Sequence, residues 1–206
     1  MKKMTLLKEV FVIASLFLLQ FSASAQVMPQ PSSSCMVMRT VGFTEVTIAY
    51  SSPGVKGRTI YGDLVPYDQA WRAGANGATK VTFGTAVKIG DKNVRAGAYS
   101  VFITPKKDGE WTVHISSAGS VYDFMNRETN SIDMKALAEK DVATASVKPM
   151  DLAETQERLK YDIDQAKDGN IMISMSWGDK KVAFMAEVDP MAIMKSMEES
   201  AKKSIE

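Results

Sequence analysis

The sequence predicts a mainly β fold, an antiparallel β-sandwich or related barrel, with a short inserted helix and a C-terminal helix. Three observations predict it. Apolar residues recur with a period of two in a series of short stretches, the pattern of strands buried on one face. Gly-Asp and Asp-Gly pairs punctuate the chain, and such pairs suit tight hairpins. Strands at short spacing without long intervening helices form antiparallel layers rather than β-α-β units.

The chain opens on a different pattern. Lys2, Lys3 and Lys8 precede an apolar run from Val10 to Phe21, and Ala23-Ser24-Ala25 follows. A positive region, an apolar run and a small-x-small site predict a cleavable secretory signal over residues 1–25, with the mature chain starting at Gln26. The run is 12 residues long, whereas a membrane span takes roughly 20. Residues 26–35, rich in Pro and Ser, are expected to be a flexible leader.

The β domain is expected over residues 36–188. Val46, Ile48 and Tyr50 share one face of Phe43–Tyr50, and Val81 and Phe83 do so in Thr79–Phe83. Tyr99, Val101 and Ile103 alternate next, then Trp111, Val113 and Ile115. Leu159, Tyr161 and Ile163 follow, then Ile171 to Trp177, then Val182 to Val188. Gly90-Asp91 and Gly178-Asp179 suit type II′ hairpins, and Asp108-Gly109 and Asp168-Gly169 suit turns needing positive φ. A short helix is expected over Ile132–Lys140, opened by Asn130 or Ser131. An amphipathic helix is expected over residues 189–206, capped by Asp189 with Pro190 in its first position. Met194, Met197, Ala201 and Ile205 form its stripe.

Composition limits the function. Lys2, Lys3, Lys8 and Glu9 fall within the signal, so residues 26–206 keep 22 of the 25 basic and 23 of the 24 acidic residues. This near-neutral balance, without a basic block, argues against a nucleic-acid partner. No stretch after the signal is long and apolar enough to span a membrane. Cys35 is the one cysteine, so no intramolecular disulfide forms and stability rests on packing.

The most distinctive segment runs from Lys56-Gly57-Arg58-Thr59-Ile60-Tyr61-Gly62-Asp63 through Trp71-Arg72-Ala73-Gly74-Ala75-Asn76 to Phe83. Arg95-Ala96-Gly97-Ala98-Tyr99-Ser100-Val101 and Glu110-Trp111-Thr112-Val113 follow it. This pattern resembles the DUF2911 family of exported bacterial proteins, a domain of unknown function, from about Val37 to Val188. The resemblance implies export to the periplasm or the medium and a β-rich fold. It supplies no substrate and no catalytic residue.

The signature segment offers the best candidate site. Arg58 and Arg72 present planar forks of donors suited to carboxylate, phosphate or sugar hydroxyls. Trp71 can stack on a ring, and Asn76 both donates and accepts. Gly74 and Gly77 could let backbone approach a ligand. The competing reading makes Trp71 a core plug, pairs Arg72 with an interior carboxylate and has Asn76 pin its own loop. His114 is the sole histidine and falls opposite Trp111, Val113 and Ile115, so it is expected on the solvent face.

The first functional expectation is a non-catalytic binding or interaction module of the cell envelope, taking a small-molecule, glycan or peptide ligand without a cofactor or metal. An envelope hydrolase using paired carboxylates is the second. Copper handling by Met36 and Met38, or by Met191, Met194 and Met197, is the third; packing by a flexible apolar residue accounts for the same methionines.

Overall fold

The computed structural model describes residues 31–126, 128–129, 131–191, 193–195 and 198. Its main layer is a six-stranded sheet in the order β1 (Ser33–Val41), β2 (Thr44–Ser52), β3 (Thr79–Phe83), β6 (Gly97–Thr104), β7 (Trp111–Ser116) and β10 (Asp141–Val147). Every neighbouring pair in it is antiparallel. The second layer is built on the long hairpin of β11 (Met150–Gln165) and β12 (Ile171–Ala186). The hairpin of β4 (Val87–Ile89) and β5 (Lys92–Val94) extends this layer. Lys88 and Glu187 exchange backbone hydrogen bonds of 2.9 and 2.8 Å just past the end of β12.

The facing sides of the two layers form the core, as the alternation requires. Val46, Ile48, Val81, Phe83, Val101, Ile103, Trp111, Val113 and Ile115 come from the main sheet. Leu159, Tyr161, Ile163, Ile171, Ile173, Met175 and Trp177 come from the long hairpin. Arg39 of β1 closes one side, donating from Nη1 to Ile163 O and Asp164 Oδ1, both at 2.6 Å. β1 and β10 end the main sheet without pairing to one another, so the fold is a sandwich and not the closed barrel.

Four sequence expectations change. The flexible leader expected over 26–35 gives way at Ser33, where β1 begins and pairs Ser33 with Ser52; backbone pairing with β2 outweighs a serine-rich composition. Gly178-Asp179 is not a hairpin turn, because β12 passes through it unbroken. Gly178 has φ +61°, and a Cβ there would lie 3.2 Å from Ile60 Cγ1, so glycine serves a close approach inside the strand. The inserted helix, α1, is Met134–Lys140, and its cap is Asp133 rather than Asn130 or Ser131. Ser131 and Ile132 form β9, paired with β8 (Met125–Asn126), while Asp133 Oδ1 accepts from the backbone of Lys135 and Ala136.

The fourth change is His114, expected in solvent and instead 7% exposed. The alternation is right, but the outer face of β6 and β7 is itself covered. Phe102, Leu137 of α1, Phe124, Ala118 and Ala70 form a second, smaller core there.

After β12, Pro190 is helical and Asp189 Oδ1 accepts from Met191 N at 3.0 Å, as a cap does. Among the described residues of this segment Ile193 is buried, and Met194, expected on the stripe, is exposed. Met197, Ala201 and Ile205 lie outside the described residues. Among the described residues no helix is long and apolar enough to cross a membrane.

Candidate functional site

The connection from β2 to β3 carries the signature segment. Its first part is stitched to β11: Val55 N donates to Glu157 O at 2.8 Å, and Leu159 N donates to Pro53 O at 3.0 Å. Its later part lies on β6, where Trp71 and Ile103 exchange backbone hydrogen bonds of 2.8 Å each way. Lys56, Asp68, Ala73 and Asn76, with φ of 51°, 60°, 51° and 58°, are the non-glycine residues of positive φ among those described. All four fall in this one connection. That backbone region is unfavourable for residues with a Cβ, and it persists only where surroundings over-determine it. Here they do. Ala73 O accepts from Thr79 Oγ1 and from Tyr161 Oη, both at 2.9 Å.

A cavity of about 430 Å³ opens beside this segment. Arg58, Trp71 and Arg72 all line it, so three of the four candidates converge. Asn76 does not. Its Nδ2 donates to Ser32 O at 3.3 Å and Ser51 Oγ at 3.1 Å, so it pins the loop. Gly74 also serves the fold, since a Cβ there would meet Thr79 Oγ1 at 2.6 Å, and Gly77 has nothing within 4 Å.

The three converging side chains differ in state. Trp71 Nε1 donates to Gly74 O at 3.1 Å, and its ring stacks on Trp177 with centroids 5.4 Å apart and planes at 23°. Trp177 lines the same cavity, and its buried Nε1 has no acceptor among the described residues. Arg58 is oriented by carbonyls: Nε donates to Val55 O at 3.0 Å and Nη2 to Gly54 O at 2.6 Å. Arg72 is half-buried and makes no side-chain hydrogen bond or ion pair among the described residues, and its Nε is shut off from solvent without an acceptor. Lys56 adds a third cation among the described residues of the lining, which include no Asp, Glu, His or Cys. Glu157 stands behind, its Oε1 accepting from Lys56 N at 3.1 Å. The site is therefore cationic and aromatic, which suits an anion and opposes a metal ion.

Sequence reasoning missed Trp177 and Lys56. Trp177 stood in the alternation of β12, but its stacking on Trp71 depends on how the long hairpin crosses the main sheet. A larger cavity of about 910 Å³ lies between β4–β5 and the start of the C-terminal helix. Its wall includes Ile193, whose neighbour at 192 is outside the described residues.

A hydroxyl, an imidazole and a carboxylate are also brought together. His114 Nε2 lies 2.9 Å from Thr104 Oγ1, and Nδ1 lies 2.6 Å from Asp141 Oδ2. Acyl-transfer enzymes use this order of groups with the hydroxyl open to substrate. Here Thr104 is 6% exposed, and none of the three lines the cavity of Arg72. The trio clamps the junction of α1 and β10 onto β7. Met36 and Met38 stand exposed on β1, and Met191 and Met194 stand exposed on the last segment. No group of three or more His, Cys, Asp or Glu side chains is arranged to hold a metal among the described residues.

No curated protein and no solved structure matches the chain. Residues 32–186, most of its length, match the model of one family, described as a protein of unknown function. The chain belongs to the DUF2911 family.

Proposed function

We propose that the protein is a non-catalytic ligand-binding module of the cell envelope, with its site in the cavity lined by Arg58, Trp71 and Arg72. It acts in the periplasm or outside the cell, after removal of residues 1–25. The observation that carries the reading is Arg72. Among the described residues the half-buried Arg72 side chain makes no hydrogen bond or ion pair, and its Nε is shut off from solvent; its terminal nitrogens are left to a ligand or water, and an unmade bond there is costly. A cation with a purely structural role would be paired internally. The described residues of the lining include no carboxylate or histidine for acid–base work, which favours binding over hydrolysis.

The test is a thermal-shift ligand screen on the chain from Gln26 onward, wild type against Arg72→Ala. A ligand that binds only the folded state raises the melting temperature. Arg72→Ala is expected to change stability by less than about 1 kcal/mol and to abolish the ligand-induced shift. A loss of about 3–5 kcal/mol, the mark of a stranded buried partner, would sink the reading. Export is tested by mass spectrometry of protein recovered from cells, which is expected to begin within a residue or two of Gln26. Recovery of intact Met1–Ala25 on that protein would contradict it.

A further inference from the structure

We infer that the ligand is an aromatic monocarboxylate, a planar ring carrying one carboxylate group; this deepens the binding reading above and rests on it. Charge balance leads to the first half. Arg58 and Lys56 are exposed cations at the edge of the cavity, and water screens them. Arg58 also spends Nε and Nη2 on Val55 O and Gly54 O. Among the described residues of the lining Arg72 is the half-buried cation that makes no side-chain hydrogen bond or ion pair. One such guanidinium balances one negative charge, and its planar fork matches the two oxygens of a carboxylate. A phosphate dianion would carry a second charge toward the apolar part of the wall, where charge is expensive.

The second half follows from the walls. Trp71 is partly exposed, lines the cavity and is held by three constraints: its Nε1 bond to Gly74 O, its backbone pairing with Ile103 and its stacking on Trp177. A fixed indole is a ready platform for a ring at little entropic cost. Leu64, Val65 and Pro66 supply apolar wall nearby. The volume of about 430 Å³ falls in the range of small-ligand sites.

The experiment is calorimetric titration of the purified protein with four probes: indole-3-acetate, its neutral analogue indole-3-acetamide, phenyl phosphate and inorganic phosphate. Wild type, Arg72→Gln and Trp71→Leu are compared, and each variant's melting temperature is recorded without ligand. Indole-3-acetate is expected to bind at least about tenfold more tightly than the amide, because a charged hydrogen-bonded pair is lost in the amide. Arg72→Gln should erase that preference by weakening indole-3-acetate at least about tenfold more than the amide. Trp71→Leu should weaken both indoles together. If phenyl phosphate or the amide is preferred and Arg72→Gln still abolishes binding, the aromatic-carboxylate inference falls and the cavity stands. If indole-3-acetate binds wild type and Arg72→Gln equally, the cavity is not the site and both readings fall. If no probe binds at millimolar concentration, the inference is overturned. Phosphate binding unaffected by either variant marks a surface ion and counts against it too.

Discussion

Tyr161 on the long hairpin donates its phenol to the carbonyl of Ala73 at 2.9 Å, joining the second layer of the sandwich to a residue of positive φ in the signature segment. Ala73 sits directly after Arg72, so this bond bears on where the guanidinium is held. Tyr161→Phe keeps the ring and its edge contact with Tyr50 and removes only the hydroxyl. Ala73 O retains Thr79 Oγ1, so it is not stranded. The expected cost is about 1 kcal/mol, read as a shift in the denaturation midpoint with an unchanged slope. Ligand affinity at the Arg72 cavity should fall with it. Unchanged affinity would mean that Ala73 is held well enough without Tyr161.

The same phenol predicts an alkaline limit. Burial pushes the Tyr161 and Tyr61 phenols above their ordinary 10.0, with the charge of Asp179 adding to the effect at Tyr61. Above 10.0 the unfolded chain releases these protons while the folded chain keeps them, so the folded state binds more protons. Stability from these groups is therefore full below 10.0 and falls as pH rises, by up to about 1.4 kcal/mol per pH unit for each phenol. Denaturation midpoints measured across this range should fall less steeply in the double variant Tyr61→Phe/Tyr161→Phe. Identical slopes in variant and wild type would contradict the assignment.

Gly74 and Gly77, three residues apart, behave differently in the fold. A Cβ at Gly74 would sit 2.6 Å from Thr79 Oγ1 and 3.3 Å from Ser51 O. Thr79 Oγ1 is already committed to Ala73 O, so it yields only by breaking that bond. Gly74→Ala is expected to cost about 1–3 kcal/mol. Gly77 has open space and no positive φ, and Gly77→Ala is expected to stay within about 0.5 kcal/mol. Paired chemical denaturation curves decide it, and equal effects at the two positions would refute the packing account.

The sequence made the inner face of the sandwich readable because period-two alternation survives wherever one side of a strand meets the core. Trp111, Val113, Ile115, Ile173 and Met175 are all buried as that pattern requires. It failed where both sides are covered or neither is. Phe102 packs with Leu137 of the inserted helix, His114 is the partner of Phe102 across the β6–β7 pair, and nothing local announces that cover. β1 at the sheet edge exposes Met36 and Met38, so its alternation carries little signal. In the site, Arg58, Trp71 and Arg72 were legible as residue types because side chains that bind are chemically distinctive. Their meeting with Trp177 was not, since it depends on the register of a hairpin a hundred residues away.

His114 gives the last prediction. Its two ring nitrogens are satisfied by Thr104 and Asp141, and the side chains of His114 and Asp141 are 9% and 10% exposed. Asp141 Oδ1 has no other partner, so His114 is the side chain that compensates this carboxylate. His114→Ala would strand Asp141 and open space under β7. The expected loss is about 3–5 kcal/mol, the cost of removing one member of a buried pair. The double variant His114→Ala/Asp141→Ala should recover part of it, because the stranded carboxylate is then gone. Binding at the Arg72 cavity should persist in whichever variants remain folded, since none of the trio lines it. A clamp predicts that stability moves and ligand affinity does not. If His114→Gln kept full stability yet abolished a hydrolytic activity of the wild type, the clamp would instead be a catalytic relay.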